Sequence, residues 1–177
     1  MKVIESGQDW KIAALRSSFH VHFLFGGIMN IKYMALAFEC AKKAFDNNEV
    51  PIGAVIVKND EVIATGYNTK ESDNSVVSHA EINAIIEAEN NLSNWRLDDC
   101  DIYVTLDPCP MCASAIKQAR IKNVYSALNN SDKDNLNIIK NVFLADSTNP
   151  SVNFVSNISP DKSKILLNKF FSKQRNN

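Results

Sequence analysis

The sequence predicts an α/β fold in which helices cover both faces of one β-sheet. Two observations support this class: apolar residues recur at helical spacing between short β-branched runs, and the elements follow the order α-β-β-α-β-α-β-(α)-β-α. The chain has 177 residues, enough for a single domain with its own core. Its hydrophobic fraction of 45% and charged fraction of 22% are those of an ordinary globular protein.

The first predicted elements are a helix and a hairpin. Residues 31–47 place apolar side chains at helical spacing and charged residues on the other face. Residues 53–66 form two β-branched runs around Asn59 and Asp60, which indicates a β-hairpin. Residues 67–77 are polar and lack periodicity, so we expect a loop there.

The middle of the chain predicts a helix, a strand and the start of another helix. The first of these helices runs from His79 to about Asn90. The side chains expected to face the core are those of Ile82, Ile85 and Ile86. Residues 100–106 form the strand, and the next helix begins with Asp107 or Pro108 at its head.

The last third predicts two strands and a terminal helix. The strands cover residues 122–128 and a segment near 152–156, and the helix runs from Pro160 to about Gln174. Residues 129–141 are rich in asparagine, and their pattern does not decide between helix and loop.

Residues 1–28 are interpreted as an N-terminal extension, disordered or outside the domain that occupies residues 29–177. The apolar run within 14–28 is short and broken by His20 and His22, so a targeting segment is the weaker interpretation. No stretch approaches the length of a transmembrane helix. We therefore expect no association with membranes, and the cysteine content indicates a cytoplasmic location.

Four cysteines in a chain of this size indicate reduced thiols in a cytosolic setting. Cys109 and Cys112 form a C-x-x-C pair, which is either a redox couple or part of a metal site. A structural zinc ribbon needs a second C-x-x-C, and the sequence has none. Cys40 and Cys100 stand alone and are expected to pack in the core.

His79 offers a third ligand for a metal site. It lies at the start of one predicted helix, and the two cysteines lie at the start of the next. Both helices are expected at the same end of the sheet, so their N-termini can converge. Two sulfurs and one imidazole then form an open tetrahedral site with water in the fourth position, and the helix dipoles favour thiolates.

Glu81 has two interpretations. Ser78-His79-Ala80-Glu81 matches a capping box, in which Glu81 would accept a hydrogen bond from the Ser78 amide. Alternatively, a carboxylate two residues from a metal ligand would transfer protons to and from metal-bound water. H-x-E followed by P-C-x-x-C favours the second interpretation, because this is the signature of zinc-dependent nucleobase deaminases.

Three segments resemble the bacterial tRNA-specific adenosine deaminases, a branch of the zinc-dependent cytidine/deoxycytidylate deaminase superfamily. They are EVPIGAVIVKNDEVIATGYN (49–68), SHAEINAI (78–85) and IYVTLDPCPMCASAI (102–116). The resemblance extends from about Lys32 to Leu128. It implies a cytidine deaminase-like fold, a three-layer α/β/α sandwich with a mixed central sheet of about five strands.

The resemblance implies hydrolytic deamination of adenosine to inosine at the wobble position of a tRNA anticodon. It assigns one Zn²⁺ per subunit to His79, Cys109 and Cys112. It assigns proton transfer to Glu81 and contact with the base or its sugar to Asn68. It also implies a homodimer that binds the tRNA anticodon stem-loop.

Three other functions remain possible from the residues. A deaminase of a free base or nucleoside, of guanine or cytosine type, suits the net charge of −1. A non-catalytic module stabilised by zinc and a disulfide oxidoreductase are the others.

Asp107 and residues 128–137 depart from the usual sequence of that family, and residues 160–177 bear on RNA binding. Asp107 stands where the family usually has glutamate; either residue can bond at a helix start, so little effect is expected. Residues 128–137 lack the arginine and glycine usual there, which weakens the case for RNA contacts in that loop. Residues 160–177 contain five basic residues and one acidic residue, which indicates either phosphate contacts or a solvated helix face.

Overall fold

In the computed structural model, the chain forms a five-stranded sheet between two layers of helices. The structure describes residues 23–24, 27–28, 31–130, 132–145 and 149–175. The helices are α1 (Ile31–Asp46), α2 (Ala80–Leu92), α3 (Pro110–Gln118), α4 (Lys133–Leu144) and α5 (Pro160–Arg175). The strands are β1 (Phe23–Leu24), β2 (Gly27–Ile28), β3 (Gly53–Lys58), β4 (Glu61–Tyr67), β5 (Cys100–Val104), β6 (Asn123–Ser126) and β7 (Asn153–Val155).

The strand order in the main sheet is β4-β3-β5-β6-β7, and the sheet is mixed. β3 is antiparallel to both β4 and β5, whereas β5, β6 and β7 are parallel. Because β4 and β5 both oppose β3, they run in the same direction and end at the same edge of the sheet. α2 follows β4 and α3 follows β5, so both helices begin at that edge.

The core lies on both faces of the sheet, because successive side chains of a buried strand point in opposite directions. Ala54 and Ile56 of β3 join the cluster under α2, α3 and α4. Val55 and Val57 join the second cluster, which contains residues of α1. In that second cluster the rings of Tyr103 and Tyr125 stack with centroids 4.8 Å apart. The sheet and the helices packed on its two faces therefore form a three-layer α/β/α sandwich.

Gly66 allows α2 to approach the sheet closely. A Cβ atom built on Gly66 would collide with the carbonyl oxygen of Ala80, the first residue of α2. Ala84, one turn further along α2, lies against the same glycine. The absence of a side chain at residue 66 therefore determines how near the start of α2 lies to β4.

From Ile31 onward the predicted order of elements is confirmed, and α4 begins within the undecided segment 129–141. The prediction that Ile86 faces the core is wrong, because its side chain is 51% exposed. α2 packs on the sheet through Ala80, Ala84 and Ala88, which lie on one side of the helix. Ile86 is two residues from Ala84 and so projects away from the sheet.

The N-terminal prediction lies largely outside the described residues. The structure pairs Phe23–Leu24 with Gly27–Ile28 as a short antiparallel ladder. The expected extension over residues 1–28 thus stays a prediction. Among the described residues, no helix is both long and apolar enough to cross a membrane.

Candidate metal centre and active site

The structure brings His79, Cys109 and Cys112 together at the edge where β4 and β5 end. Their ligand atoms all lie within 4.8 Å of one another. His79 Nδ1 is 3.6 Å from Cys109 Sγ and 3.5 Å from Cys112 Sγ. His79 immediately precedes α2, Cys109 immediately precedes α3, and Cys112 lies in the first turn of α3. These are the three ligands expected from the sequence.

Local sequence explains why both helices begin at their metal-ligand candidates. His79 and Cys109 have extended backbone conformations and occupy the N-cap positions of α2 and α3. Pro110 stands first in α3, where its missing N–H costs no hydrogen bond and its fixed φ suits a helix. The N-termini of both helices therefore present their partial positive charge to the sulfurs.

The two thiols form a coupled pair. A hydrogen bond from the Cys112 thiol, together with the nearby His79, lowers the pKa of Cys109 to about 5 against the opposing effect of burial. The same hydrogen bond, together with burial, raises the pKa of Cys112. The Cys109 thiolate therefore forms readily. A metal ion that replaces the proton shared by the two sulfurs would be bound by two thiolates.

The donor set fits a tetrahedral metal site with one open position. Two sulfurs and one imidazole nitrogen are ligands that Zn²⁺ accepts, and three protein ligands are typical of catalytic zinc. Cys112 is fully buried, while His79 and Cys109 are partly exposed. The cluster is therefore closed on the protein side and accessible on the other.

Glu81 lies in the first turn of α2 beside this cluster, with only 4% of its surface exposed. Burial raises the pKa of Glu81 to about 7, and the negative sulfur of Cys109 adds to this effect. A hydrogen bond from Cys112 acts in the opposite direction. The carboxyl group therefore contacts the metal-ligand candidates and has a pKa suited to exchanging protons near neutral pH.

The capping-box interpretation of Glu81 is wrong. The helix begins at Ala80 with His79 at the N-cap, which places Ser78 one residue too early to cap it. The Ser78 amide donates instead to the carbonyl oxygen of Ser75, at 3.3 Å. Ser78 also accepts a backbone hydrogen bond from Thr69 at 3.0 Å, so tertiary contacts hold this segment.

Asn68 follows the last residue of β4 and is 5% exposed. Its Nδ2 donates to Glu49 Oε2 at 3.0 Å, and its backbone N–H donates to the carbonyl oxygen of Ile52 at 3.1 Å. The next residue, Thr69, is bonded both to Ser78 and to the side chain of Asn83 in α2. Asn68 is thereby connected to the segment that leads into His79.

The expectation that Asp107 bonds at the start of α3 is wrong, because Cys109 occupies the N-cap. Asp107 is a buried carboxylate that accepts hydrogen bonds from the hydroxyls of Ser126 and Ser156 and from the Asn130 amide. These partners end β6, follow β7 and lie in the loop between β6 and α4. Asp107 therefore joins three segments rather than capping one helix.

Sequence reasoning missed Glu49, which is fully buried and bonded to the Asn68 side chain. A glutamate between a helix and a strand resembles any exposed loop residue when only its neighbours are considered. Its position directly before the VPIGAV segment was the one available signal.

Comparison with known proteins identifies the family. The family model of the MafB19-like deaminases matches residues 29–175. The tRNA-specific adenosine deaminase of Rickettsia typhi is 40% identical over 144 residues, which cover 80% of this chain and 97% of that protein. The chain belongs to the tRNA-specific adenosine deaminase family.

Solved structures agree with membership of the tRNA-specific adenosine deaminase family. One comes from a study of A-to-I editing by tRNA:A34 deaminases at the wobble position of transfer RNA. It has 33% identity and a TM-score of 0.70, and the match covers 78% of this chain and all of that one. A guanine deaminase from Bacillus subtilis has 30% identity and a TM-score of 0.57, with 84% and 96% of the two chains covered. The α/β/α fold is thus shared between enzymes whose names specify different substrates.

Proposed function

We propose that the chain is a zinc-dependent hydrolase that deaminates adenosine to inosine at the wobble position of a tRNA anticodon. The observation that supports this most directly is the buried Glu81 beside the His79, Cys109 and Cys112 cluster. The 40% identity to a tRNA-specific adenosine deaminase favours this substrate. We further propose that residues 29–177 form the catalytic domain of a cytoplasmic homodimer.

In the proposed mechanism, His79, Cys109 and Cys112 hold one Zn²⁺ per subunit. Bound zinc supplies a Lewis acid that lowers the pKa of water from 15.7 toward about 7. Glu81 accepts a proton from the attacking water, whose oxygen adds to C6 of adenine. Glu81 then delivers protons to the ring nitrogen and to the leaving amine, which departs as ammonia. Its raised pKa allows the same carboxyl to accept and release protons near neutral pH.

Asn68 binds the base or its sugar once the adenosine has left the anticodon stack. The buried position of its amide, next to the segment that leads into His79, supports this role. Basic side chains of α5 supply phosphate contacts around the stem-loop. The exposed ones are Lys162, Lys164, Lys169, Lys173 and Arg175.

A deaminase of free guanine is the second candidate. The 30% identity to the Bacillus subtilis guanine deaminase favours it. The net charge of −1 is also compatible with a small, free base as the substrate. Both candidates use the same zinc ligands and the same proton-transfer residue, so only the substrate separates them.

The test measures inosine formation and zinc content on one purified sample. The substrates are an anticodon stem-loop with adenosine at the wobble position, the same stem-loop with guanosine there, and free adenine, guanine and cytosine. We expect inosine only in the adenosine stem-loop, with about one zinc per chain. Ammonia from free guanine alone would assign the second candidate, and zinc without turnover of any substrate would indicate a non-catalytic module.

A further inference from the structure

Glu49 is a buried acidic residue that the proposed mechanism does not use. It lies between α1 and β3, and no part of its surface is exposed. The two ion pairs found among the described residues join other side chains. An ionised carboxylate that is fully buried without a cationic partner is destabilising unless hydrogen bonds replace its hydration. We therefore expect Glu49 to have a role that depends on its hydrogen-bond acceptors, which an apolar side chain lacks.

All four acceptor positions of the Glu49 carboxylate are occupied. Oε1 accepts from the backbone N–H and the hydroxyl of Ser72, each at 2.7 Å. Oε2 accepts from Asn68 Nδ2 at 3.0 Å and from the Glu71 N–H at 3.2 Å. Burial by itself raises the pKa of Glu49, but these hydrogen bonds outweigh it and hold the pKa below its usual range. The carboxylate is therefore ionised and acts only as an acceptor.

An acceptor-only partner determines which way the Asn68 amide is turned. Its nitrogen must face Glu49, because its carbonyl oxygen would meet a second negative oxygen there. One hydrogen of the amide is thereby used within the protein. The carbonyl oxygen and the second N–H are left for other partners, in a fixed arrangement.

The same carboxylate also holds the turn that follows Asn68. Glu71 and Ser72 belong to a segment of ten residues that connects Asn68 with His79 and lacks helix and strand. The Thr69 amide, at the near end of this segment, donates to the carbonyl oxygen of Ser78 at the far end, next to His79. Glu49 therefore fixes the Asn68 side chain and the near end of the segment.

We infer that Glu49 is a positioning residue that orients the Asn68 amide for recognition of the substrate base or its sugar. This inference rests on the proposed function, because it takes Asn68 to be a substrate contact. Glu49 itself touches no substrate. We therefore expect its effect on turnover to pass through Asn68. Its hydrogen bonds go to Asn68, Glu71 and Ser72 rather than to a metal-ligand candidate, so zinc binding should not change.

The test is a double-mutant cycle with Glu49→Gln and Asn68→Ala. A glutamine at residue 49 keeps the shape, but in either orientation its NH₂ group opposes N–H donors. We expect kcat/KM to fall about tenfold or more, mainly through a higher KM, with zinc content unchanged. In the Asn68→Ala background, Glu49→Gln should have little further effect, because the side chain it orients is gone.

The matched control is Glu87→Gln. Glu87 is an exposed glutamate of α2 that accepts a hydrogen bond from the Thr65 amide at 2.9 Å, so the same exchange is made outside the site. Its kcat/KM should remain at the wild-type value. Unchanged kcat/KM in Glu49→Gln, or effects of Glu49→Gln and Asn68→Ala that multiply independently, would overturn the inference.

A second variant covers the case in which Glu49→Gln does not fold. Ser72→Ala removes one hydroxyl bond to Glu49 and should raise KM by about two- to fivefold, again only while Asn68 is present. An unchanged KM contradicts the inference. The cycle is run on whichever substrate the wild-type protein deaminates, stem-loop or free base. A failure of the proposed tRNA function thus appears in the wild-type assay, and a failure of the positioning role appears in the cycle.

Discussion

The starts of α2 and α3 differ from the start of α4. α4 is preceded by the N-cap residue Asp132, whose carboxylate accepts hydrogen bonds from the amides of Asp134 and Asn135. At the corresponding positions of α2 and α3 stand His79 and Cys109, and neither side chain makes a capping hydrogen bond. A good cap stabilises a helix by about 1 kcal/mol. The two helix starts at the site lack this stabilisation and instead direct side chains toward a metal position.

The difference shows that the helix starts serve different purposes in one fold. The start of α4 is stabilised locally, because Asp132 accepts hydrogen bonds from amides only two and three residues further along the chain. The start of α2 is held by contacts outside its own first turn, namely the close approach of Ala80 to Gly66 and the bond from Thr69 to Ser78, and the start of α3 has Pro110 at its first position. Three substitutions test this contrast, from the largest expected effect to the smallest.

Cys112→Ser should have the largest effect. Loss of one thiolate leaves two of the three protein ligands, and we expect bound zinc to fall from about one per chain to below about one tenth after dialysis. Deaminase activity should be lost with the metal. Zinc content is measured by elemental analysis, with Cys100→Ser, at a buried cysteine remote from the cluster, as the control. Full zinc retention in Cys112→Ser would show that Cys112 is not required for metal binding.

Glu81→Gln should lower kcat by about 10²- to 10⁴-fold, because the amide cannot transfer protons. Zinc content should stay at the wild-type level. The melting temperature should not fall, since a neutral amide replaces a buried carboxylate and no cap is lost. Activity, zinc and thermal unfolding are measured together. Surviving activity in Glu81→Gln would contradict the proton-transfer role of Glu81.

Asp132→Ala should have the smallest effect on function and a measurable one on stability. Removal of the cap should lower the free energy of unfolding by about 1 kcal/mol, as seen in urea denaturation. The kcat/KM should remain at the wild-type value, since α4 supplies no proposed ligand. Asp132→Asn, which keeps an acceptor oxygen, is the matched control and should be near wild type. A decrease in zinc content in Asp132→Ala would contradict the separation between the two kinds of helix start.

Much of the site could be predicted because its residues are close in sequence. Cys109 and Cys112 are three residues apart, and His79 and Glu81 are two apart, so each pair lies within one helical turn whatever the rest of the fold does. The order of helices and strands then places both turns at one edge of the sheet. Convergence of the two pairs therefore followed from topology alone.

The errors concern hydrogen bonds and packing contacts that the local pattern does not show. The capping box at Ser78 is a local pattern, but α2 begins at Ala80 with His79 at the N-cap, and the backbone of Ser78 bonds to Ser75 and Thr69 instead. Asp107 was expected to bond locally, yet Ser126 lies 19 residues away and Ser156 lies 49 away. Ile86 faces outward because three alanines on the other side of α2 form the closer contact with the sheet.

The amino-acid sequence by itself determined the α/β class, the family and the ligand candidates, because periodicity and short spacings are properties of a few neighbouring residues. Only the tertiary structure decided that Glu81 is a buried neighbour of the cluster rather than a cap. It also decided that Glu49 accepts a hydrogen bond from the Asn68 side chain, and that Asp107 is hydrogen-bonded to residues at the end of β6, after β7 and in the loop before α4. Burial and hydrogen-bond partners depend on segments that meet across the sheet, and no local pattern records which of them will meet.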